Sequence, residues 1–527
     1  MNQAQKIASV ALVGLAALQA ASPAAAQARA EDEGVPLIMM RTESTAAFGG
    51  ERLRKLVAAL KKRAGKSSRK VLPLTKTEVW TVPKENVAAV QKEASRRGVV
   101  MSQLTAGWNQ LLRRPPAQRM MNTRQQAIVD GAKASAATLG VGVMATPPPP
   151  MMEYALIKDA GLPVASQGAS TINVALSDNT VLTINRTSVD IRADMCVWRG
   201  TVAETGESAT VLWWPSGKTA GIVQHRGMLY SIRHMGGELH AVVEMADEKM
   251  PREHAPMPER FRSNDPSLRD DPLINQGEAG RLRPVTAGSR PPTQKASQQQ
   301  AKKEAGGGDV VIDVIVAYTK AAARHYTDVR RELIELSIEE GNESFRTSGI
   351  SNVKLRLVHA YETAYVEEGA HFDHVWRFAD KGDGYMEEIH GLRDRHKADV
   401  AILIVDDAKG CGLATRVHAD ADEAFAVVHH ECAASTYSLA HEIGHIVGAR
   451  HELAMDKVMT PFPYGHGYVN GRKWRDIMSY KDSCGGCPRI PVWSSPLIKV
   501  KGEAAGTPEL DNARVIAEQA KRVASFR

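Results

Sequence analysis

Residues 438–452 read Ser-Leu-Ala-His-Glu-Ile-Gly-His-Ile-Val-Gly-Ala-Arg-His-Glu, and no other stretch limits the fold so tightly. A helix is expected over Ser435–Val447, with Ser435 or Ser438 as its N-cap. At about 100° per residue, His441 and His445 stand about 40° apart around the axis and one turn apart along it, so both imidazoles can reach one metal ion. Glu442 falls on the flank of that face, offset from the ion but close enough to touch a water beside it. A continued helix would aim His451 away. Gly448 can adopt positive φ, end the helix and let the chain double back, which delivers His451 as a third ligand. Three neutral imidazoles leave a fourth position open, as a catalytic zinc site requires. Glu442 is then the general base that takes a proton from water and returns it to a leaving amine.

The whole pattern is H-E-x-x-H-x-x-G-x-x-H. Five fixed positions of this kind match by chance in about one chain of this length in some tens of thousands. A structural histidine cluster has no need of the glutamate or of the glycine at those spacings.

At 527 residues the chain exceeds one ordinary domain, and 43% hydrophobic content is enough to build several cores. The net charge of +7 is mild for this length. Its basic clusters, Arg52 to Lys70 and Arg113 to Arg124, lack interleaved aromatics and read as solvated surface, so no nucleic-acid partner is expected.

The N-terminus carries Lys6, an apolar stretch from Ile7 to Ala21 interrupted by Gln19, and Ala24-Ala25-Ala26 before Gln27. That is the pattern of a signal peptide over 1–26, too short for a membrane anchor. The protein is expected to be secreted or periplasmic, without a membrane association after cleavage. Disulfides persist in such a compartment. Cys411, Cys432, Cys484 and Cys487 suit two of them, leaving Cys196 as the odd cysteine. A cysteine-rich metal site is disfavoured because only Cys484-x-x-Cys487 has ligand spacing.

Along the chain, 27–150 alternates short apolar runs with charged helical stretches, with a strand expected at Thr77–Val82 and a helix at Glu85–Arg97. The proline run ending at Pro150 marks a boundary. From 151 to 250 short β-like runs follow one another (Thr171–Leu176, Val181–Asn185, Ser188–Ile191, Cys196–Val202, Thr210–Trp214, Gly221–Val223), which suggests a small sandwich or barrel. Residues 251–308 are rich in Pro, Gln, Lys, Ser and Gly and read as a flexible linker open to proteolytic nicking. From 309 strands (Val310–Val316, Val353–Val358, Val400–Val405, Phe425–Val428) alternate with helices (Ala321–Arg346, Met386–His396, Ser435–Val447), and a last helix covers Asn512–Ala524. The fold class is multidomain α+β. A catalytic domain (309–527) with a mixed, mostly parallel sheet, helices on it and a loop-rich lower part is preceded by an α/β part (27–150) and a β-rich part (151–250). Together those two parts are expected to form a prodomain, acting as folding aid and inhibitor.

The histidine segment resembles the metzincin clan of zinc endopeptidases. The resemblance implies a turn bearing a methionine below the metal, and Arg475-Asp-Ile-Met478-Ser-Tyr480 fits it, with Met478 as the turn residue. Tyr480 matches the tyrosine that sits near zinc in astacin-like and serralysin-like members, a labile ligand or a donor to the developing oxyanion. Residues 309–527 are most similar to the reprolysin-like branch and its bacterial peptidyl-Asp metallopeptidases. The similarity runs through Val311–Thr319, Arg393–Val400, Cys411–Ala414, Ala424–Val428, Pro463–Tyr468 and Arg489–Pro496. Glu452 departs from it, since relatives usually carry Asp there. The resemblance implies that Gly412–Thr415 is an edge strand on which peptide or protein substrates dock, and that cleavage occurs beside acidic residues. Cys411 with Cys432 is the first disulfide expected. Cys196 is either an inhibitory thiol that ligates zinc in the precursor or a small apolar residue in a strand core, and Val197-Trp198 after it favours the core. His371, His374, His429, His430 and His466 are expected to be ordinary. Accessory calcium is left undetermined by the sequence. A zinc fold retained for binding without turnover is a rival reading, and the intact Glu442 speaks against it. Residues 27–250 kept as a permanent binding module are another.

Overall fold

The computed structural model describes residues 35–40, 50–71, 78–97, 99–103, 121–135, 138–145, 171–176, 180–192, 194–214, 218–236, 239–246, 249–251, 308–369 and 371–527. The expected signal peptide, the proline run 147–150 and residues 252–307 of the expected linker lie outside them. Two compact units divide the chain.

In the first unit, β1 (Val35–Met40) is flanked by β3 (Glu78–Val82) and β4 (Val100–Gln103). With β2 (Ser68–Val71) they form an antiparallel sheet of order β2-β3-β1-β4. Alternation sends Leu37 and Met39 of β1 to one face, where they meet Leu56 and Leu60 of the helix Gly50–Ala64 and Val90 and Ala94 of the helix Val87–Arg96. The buried carboxylate of Glu78 is matched by Arg69 at 2.8 and 2.6 Å and by the Trp80 indole at 3.1 Å.

The second unit holds two large sheets. The first has eight antiparallel strands: β5 (Thr138–Ala145), β6 (Thr171–Ala175), β7 (Val181–Ile191), β8 (Cys196–Val202), β9 (Ser208–Trp213), β10 (Thr219–His225), β11 (Met228–Gly236) and β12 (Leu239–Ala246). Strands β6 to β12 follow as a meander, and β5 pairs with β12, giving the order β5-β12-β11-β10-β9-β8-β7-β6. The described strands therefore form one continuous sheet and not the expected sandwich or barrel. The boundary placed at 150 also moves. The helix Thr123–Ala134 buries Ile128, Val129 and Ala132 in the core of this sheet, and β5 satisfies the outer edge of β12.

The other sheet has five strands: β13 (Val310–Thr319), β14 (Val353–Thr363), β15 (Val400–Val405), β16 (Gly412–Ala414) and β17 (Phe425–His429), in the order β14-β13-β15-β17-β16. All neighbours are parallel except β16, which runs antiparallel to β17 at the edge. Strand alternation divides the apolar residues between two cores. Val314, Val316, Ile402 and Ile404 face the helices Leu336–Thr347, Ser438–Val447 and Asn512–Val523. Ile315, Ala317, Ala401 and Leu403 face His371–Ala379 and Glu388–His396.

Two expected helices are broken. Ala321–Arg346 becomes a one-turn helix Lys320–Ala323, a π-helical turn Arg330–Glu335 and the helix Leu336–Thr347. Asp328 restarts the chain there, its carboxylate accepting from the Arg331 N–H at 3.3 Å. Ser435–Val447 becomes His430–Ser435 and Ser438–Val447, separated by Tyr437 at φ 59°. Neither serine caps the second helix. Tyr437 holds the cap position without a side-chain bond, and its carbonyl accepts from the His441 N–H at 2.9 Å.

Helix Ser438–Val447 packs on Trp493 so closely that a Cβ at Gly444 would lie 2.5 Å from the indole. Trp493 is fully buried and anchored through its Nε1 to Ser344 Oγ at 2.9 Å, so it has nowhere to retreat. Gly444→Val is expected to destabilise the fold by about 3 kcal/mol, read as a lowered guanidinium midpoint.

Candidate metal centre

The exit of the active-site helix is fixed by Gly448, whose φ is 134° and whose N–H, with that of Ala449, closes on the Gly444 carbonyl at 2.9 Å. The chain then returns, and His451 meets the two helical histidines. The Nε2 atoms of His441, His445 and His451 lie 3.1, 3.1 and 2.9 Å from one another. A tetrahedral ion bound at about 2.1 Å needs its nitrogens about 3.4 Å apart, so the spacing fits after a small outward movement.

Protonation supports the same reading. His441 Nδ1 faces the Ile477 carbonyl at 2.8 Å, and His445 Nδ1 faces the Ala449 carbonyl at 2.9 Å. Each Nδ1 must carry its proton to donate there, which leaves a lone pair on Nε2. Burial pushes His441 down to about 4 and His445 and His451 well below the ordinary histidine value. Neutral, buried lone pairs converging on one point repel unless a cation lies between them.

Glu442 is buried against the edge strand: a Cβ on Gly412 would come within 2.4 Å of its Oε1. Burial pushes its carboxyl up to about 8, opposed by the Ala414 backbone N–H. Beneath the helix, Met478 is fully buried, with Sδ 3.3 Å from where a Gly444 Cβ would stand. The turn around it is held by Asp476, which accepts from Ser479 Oγ at 2.5 Å and from the Ser494 N–H at 3.1 Å. Burial pushes Asp476 up to about 7. Tyr480 places its ring 4.4 Å from that of His451, and burial raises its phenol well above the ordinary value.

Two residues that the sequence named without giving them a role here are partners of this centre. Glu452 accepts from the Tyr480 N–H at 3.1 Å and from Ser483 Oγ, tying the residue after the third histidine to the methionine turn. His466 Nδ1 bonds the His451 carbonyl at 2.8 Å. Their short loops give no periodic signal. Cys411–Cys432 and Cys484–Cys487 are disulfides. The first joins the residue before β16 to the short helix ahead of the active-site helix. Cys196 is buried in β8, opposite Ile191 and Trp213, and is not among the ligand atoms that converge at the histidines.

A second group, His325, Asp406 and His430, also brings ligand atoms together. It differs in one decisive respect. Asp406 Oδ1 lies 3.0 Å from His325 Nε2 and 3.1 Å from His430 Nε2, while the Tyr326 hydroxyl lies 3.0 Å from His430 Nδ1. Burial alone would raise Asp406, but the two imidazoles hold it well below the carboxylate range. With its proton on Nε2 each imidazole donates to Asp406, and the three side chains then form a hydrogen-bond network with the Tyr326 hydroxyl. His374 is likewise engaged, by Tyr365 at 2.7 Å and Asp407 at 3.2 Å.

A family model described as metallo-peptidase family M12, reprolysin-like, matches residues 309–494. A peptidyl-Asp metalloendopeptidase of Stenotrophomonas maltophilia (strain R551-3) is 34% identical over 318 residues, covering 59% of this chain and 69% of that protein. The chain belongs to the peptidyl-Asp metalloendopeptidase family. A relative of the same name in Xanthomonas campestris pv. campestris is 34% identical over 59% of this chain and 68% of its own length. Another in Pseudomonas fragi is 36% identical over 34% of this chain and 94% of its own length. Membership makes the chain a zinc metalloendopeptidase, and the three histidines are a donor set that suits zinc.

Metal analysis of the purified full chain is expected to find a single zinc ion per molecule, lost on His441→Ala or His451→Ala. Because burial places folded His441 at about 4 against 6.5 for the free group, the unfolded chain binds the extra proton below pH 6.5. Stability should therefore fall as pH drops from 6.5 towards 4, seen as a falling urea midpoint.

Proposed function

We propose that the chain is a secreted endopeptidase, made as a proenzyme, that cuts peptide bonds beside acidic residues with Glu442 as its general base. The observation that carries this reading is the convergence of three Nε2 atoms beside a buried glutamate that lies directly under an edge strand. Zinc held by His441, His445 and His451 supplies a Lewis acid and lowers the pKa of water. Glu442 takes a proton from the attacking water and hands it to the departing nitrogen. Burial raises the Glu442 carboxyl, and a cation held beside it would favour the ionised form that accepts a proton. Strand β16, paired on one side by β17, offers its other side for a substrate to add as a further strand. Tyr480, beside His451, keeps its proton and donates a hydrogen bond to the developing oxyanion.

Several contacts support residues 27–250 as a prodomain. The eight-stranded sheet clasps the helix Leu336–Thr347 through Arg192, which reaches Glu339 at 2.6 and 2.9 Å, and Arg199, which reaches it at 2.8 Å. Lys218 pairs with Asp328 at 2.6 Å, and Gln224 donates to the Tyr437 hydroxyl at 3.1 Å. Export rests on the sequence of residues 1–26. Among the described residues no helix is long and apolar enough to cross a membrane.

Glu442→Ala is expected to reduce hydrolysis of an acidic peptide about a thousandfold while zinc content stays at the wild-type level. Loss of zinc in that variant would remove Glu442 from its role as base. Intact-mass analysis of secreted material should show a species cut within 251–308, and finding full-length chain alone would count against the proenzyme reading.

A further inference from the structure

Beyond β12 the chain reaches Met250 and Pro251, whose carbonyls meet Lys481 and Cys411, the residues next in sequence to Tyr480 and Gly412. The Pro251 carbonyl oxygen lies 3.2 Å from Cys411 Sγ, a contact and not a hydrogen bond, because a disulfide sulfur carries no proton. Cys411 directly precedes Gly412, the residue that touches Glu442. On the opposite wall, Lys481 Nζ donates to the Met250 carbonyl at 3.1 Å. Lys481 directly follows Tyr480, whose ring lies beside His451. Main-chain oxygen from outside the five-stranded catalytic fold therefore already reaches an ammonium one residue from the metal centre.

Three arginines near this wall are tied to main-chain carbonyls. Arg489 is buried and donates to the Thr436 carbonyl at 2.9 Å and the Ser479 carbonyl at 3.0 Å. Arg475 is fully buried and donates to the Cys487 carbonyl. Arg450 is paired with Asp456 at 3.0 Å and with the Thr460 carbonyl at 2.7 Å. Lys481 is only half-buried, so incoming chain can reach it. Its backbone is nonetheless held still. The Lys481 carbonyl accepts from the N–H groups of Cys484 at 3.3 Å and Gly486 at 2.9 Å, inside the small loop closed by Cys484–Cys487. A fixed base with a flexible ammonium suits a compact carboxylate reader.

We propose that Lys481 is the specificity-determining residue, whose ammonium pairs with an acidic side chain beside the scissile bond. The assignment rests on the preference for acidic residues proposed above and adds the group that reads them. In the full chain the Met250 carbonyl stands in for the substrate carboxylate, a neutral oxygen where a charged one binds more strongly.

The test expresses the full chain carrying Lys481→Met, Lys481→Arg or Lys481→Glu, lets it be cut within 251–308, and assays the product on peptides that differ only in Asp, Asn or Lys beside the scissile bond. Zinc content is measured in every variant. For Lys481→Met the Asp-to-Asn ratio of kcat/KM should fall about 30-fold, as loss of a hydrogen bond to a charged group predicts. Lys481→Arg should keep most of that ratio, and Lys481→Glu should shift preference towards the Lys peptide, which a merely structural residue would not do. An unchanged ratio in Lys481→Met overturns the assignment, as does loss of zinc with equal loss on all peptides. A wild-type ratio near one would instead sink the acidic preference itself, and Lys481 with it.

Discussion

Three imidazole lone pairs aimed at one point are an unfavourable arrangement that the fold must impose. The main chain imposes it by accepting protons on the far side of two rings. The carbonyl of Ile477 holds His441, and that of Ala449 holds His445. Those carbonyls are available only because Gly448 ends the helix and because the methionine turn passes below it. Helix, exit and turn are thus one assembly, and Glu452 fastens it by joining the exit to the Tyr480 backbone. The surrounding apolar core, with Trp493 against Gly444, removes the slack that would let the rings relax apart.

The eight-stranded sheet meets this assembly from another direction. Helix Leu336–Thr347 carries Glu339, Glu340 and Glu343, all nearly inaccessible to water. Arg192 and Arg199 neutralise Glu339, while burial pushes Glu340 up to about 8, so it holds its proton at neutral pH. Burying an unpaired carboxylate would cost several kcal/mol, and the sheet avoids that cost by supplying guanidinium groups to Glu339 and Glu343. The same acids would regain water if the sheet departed.

Much of the catalytic fold was legible because its signals are local. Val400–Val405 reads as an unbroken apolar run and is a strand over the same residues, buried throughout. The histidine spacing needs only helical geometry and one glycine. What the sequence concealed depended on distant partners. No local rule separates Tyr437 from its helix, yet its left-handed backbone splits the expected Ser435–Val447. Strand β5 lies before the proline run, and its place beside β12 is a long-range pairing that composition could not disclose. The sheet that looked like a sandwich or barrel shows the same limit: strand spacing reveals hairpins but not how many share one sheet. His325, Asp406 and His430 come from three separated segments, and only the folded chain shows that they meet.

Gly412 deserves a last consequence. Its missing side chain leaves the volume into which Glu442 fits, since even one added carbon would overlap Oε1 at 2.4 Å. On the proposed mechanism, the backbone that would receive a peptide and the carboxylate that would work on it are gauged against each other without any adjustable part between them. Motion of the strand is transmitted to the carboxylate directly, and the alignment of reactants is machined into a bare α-carbon.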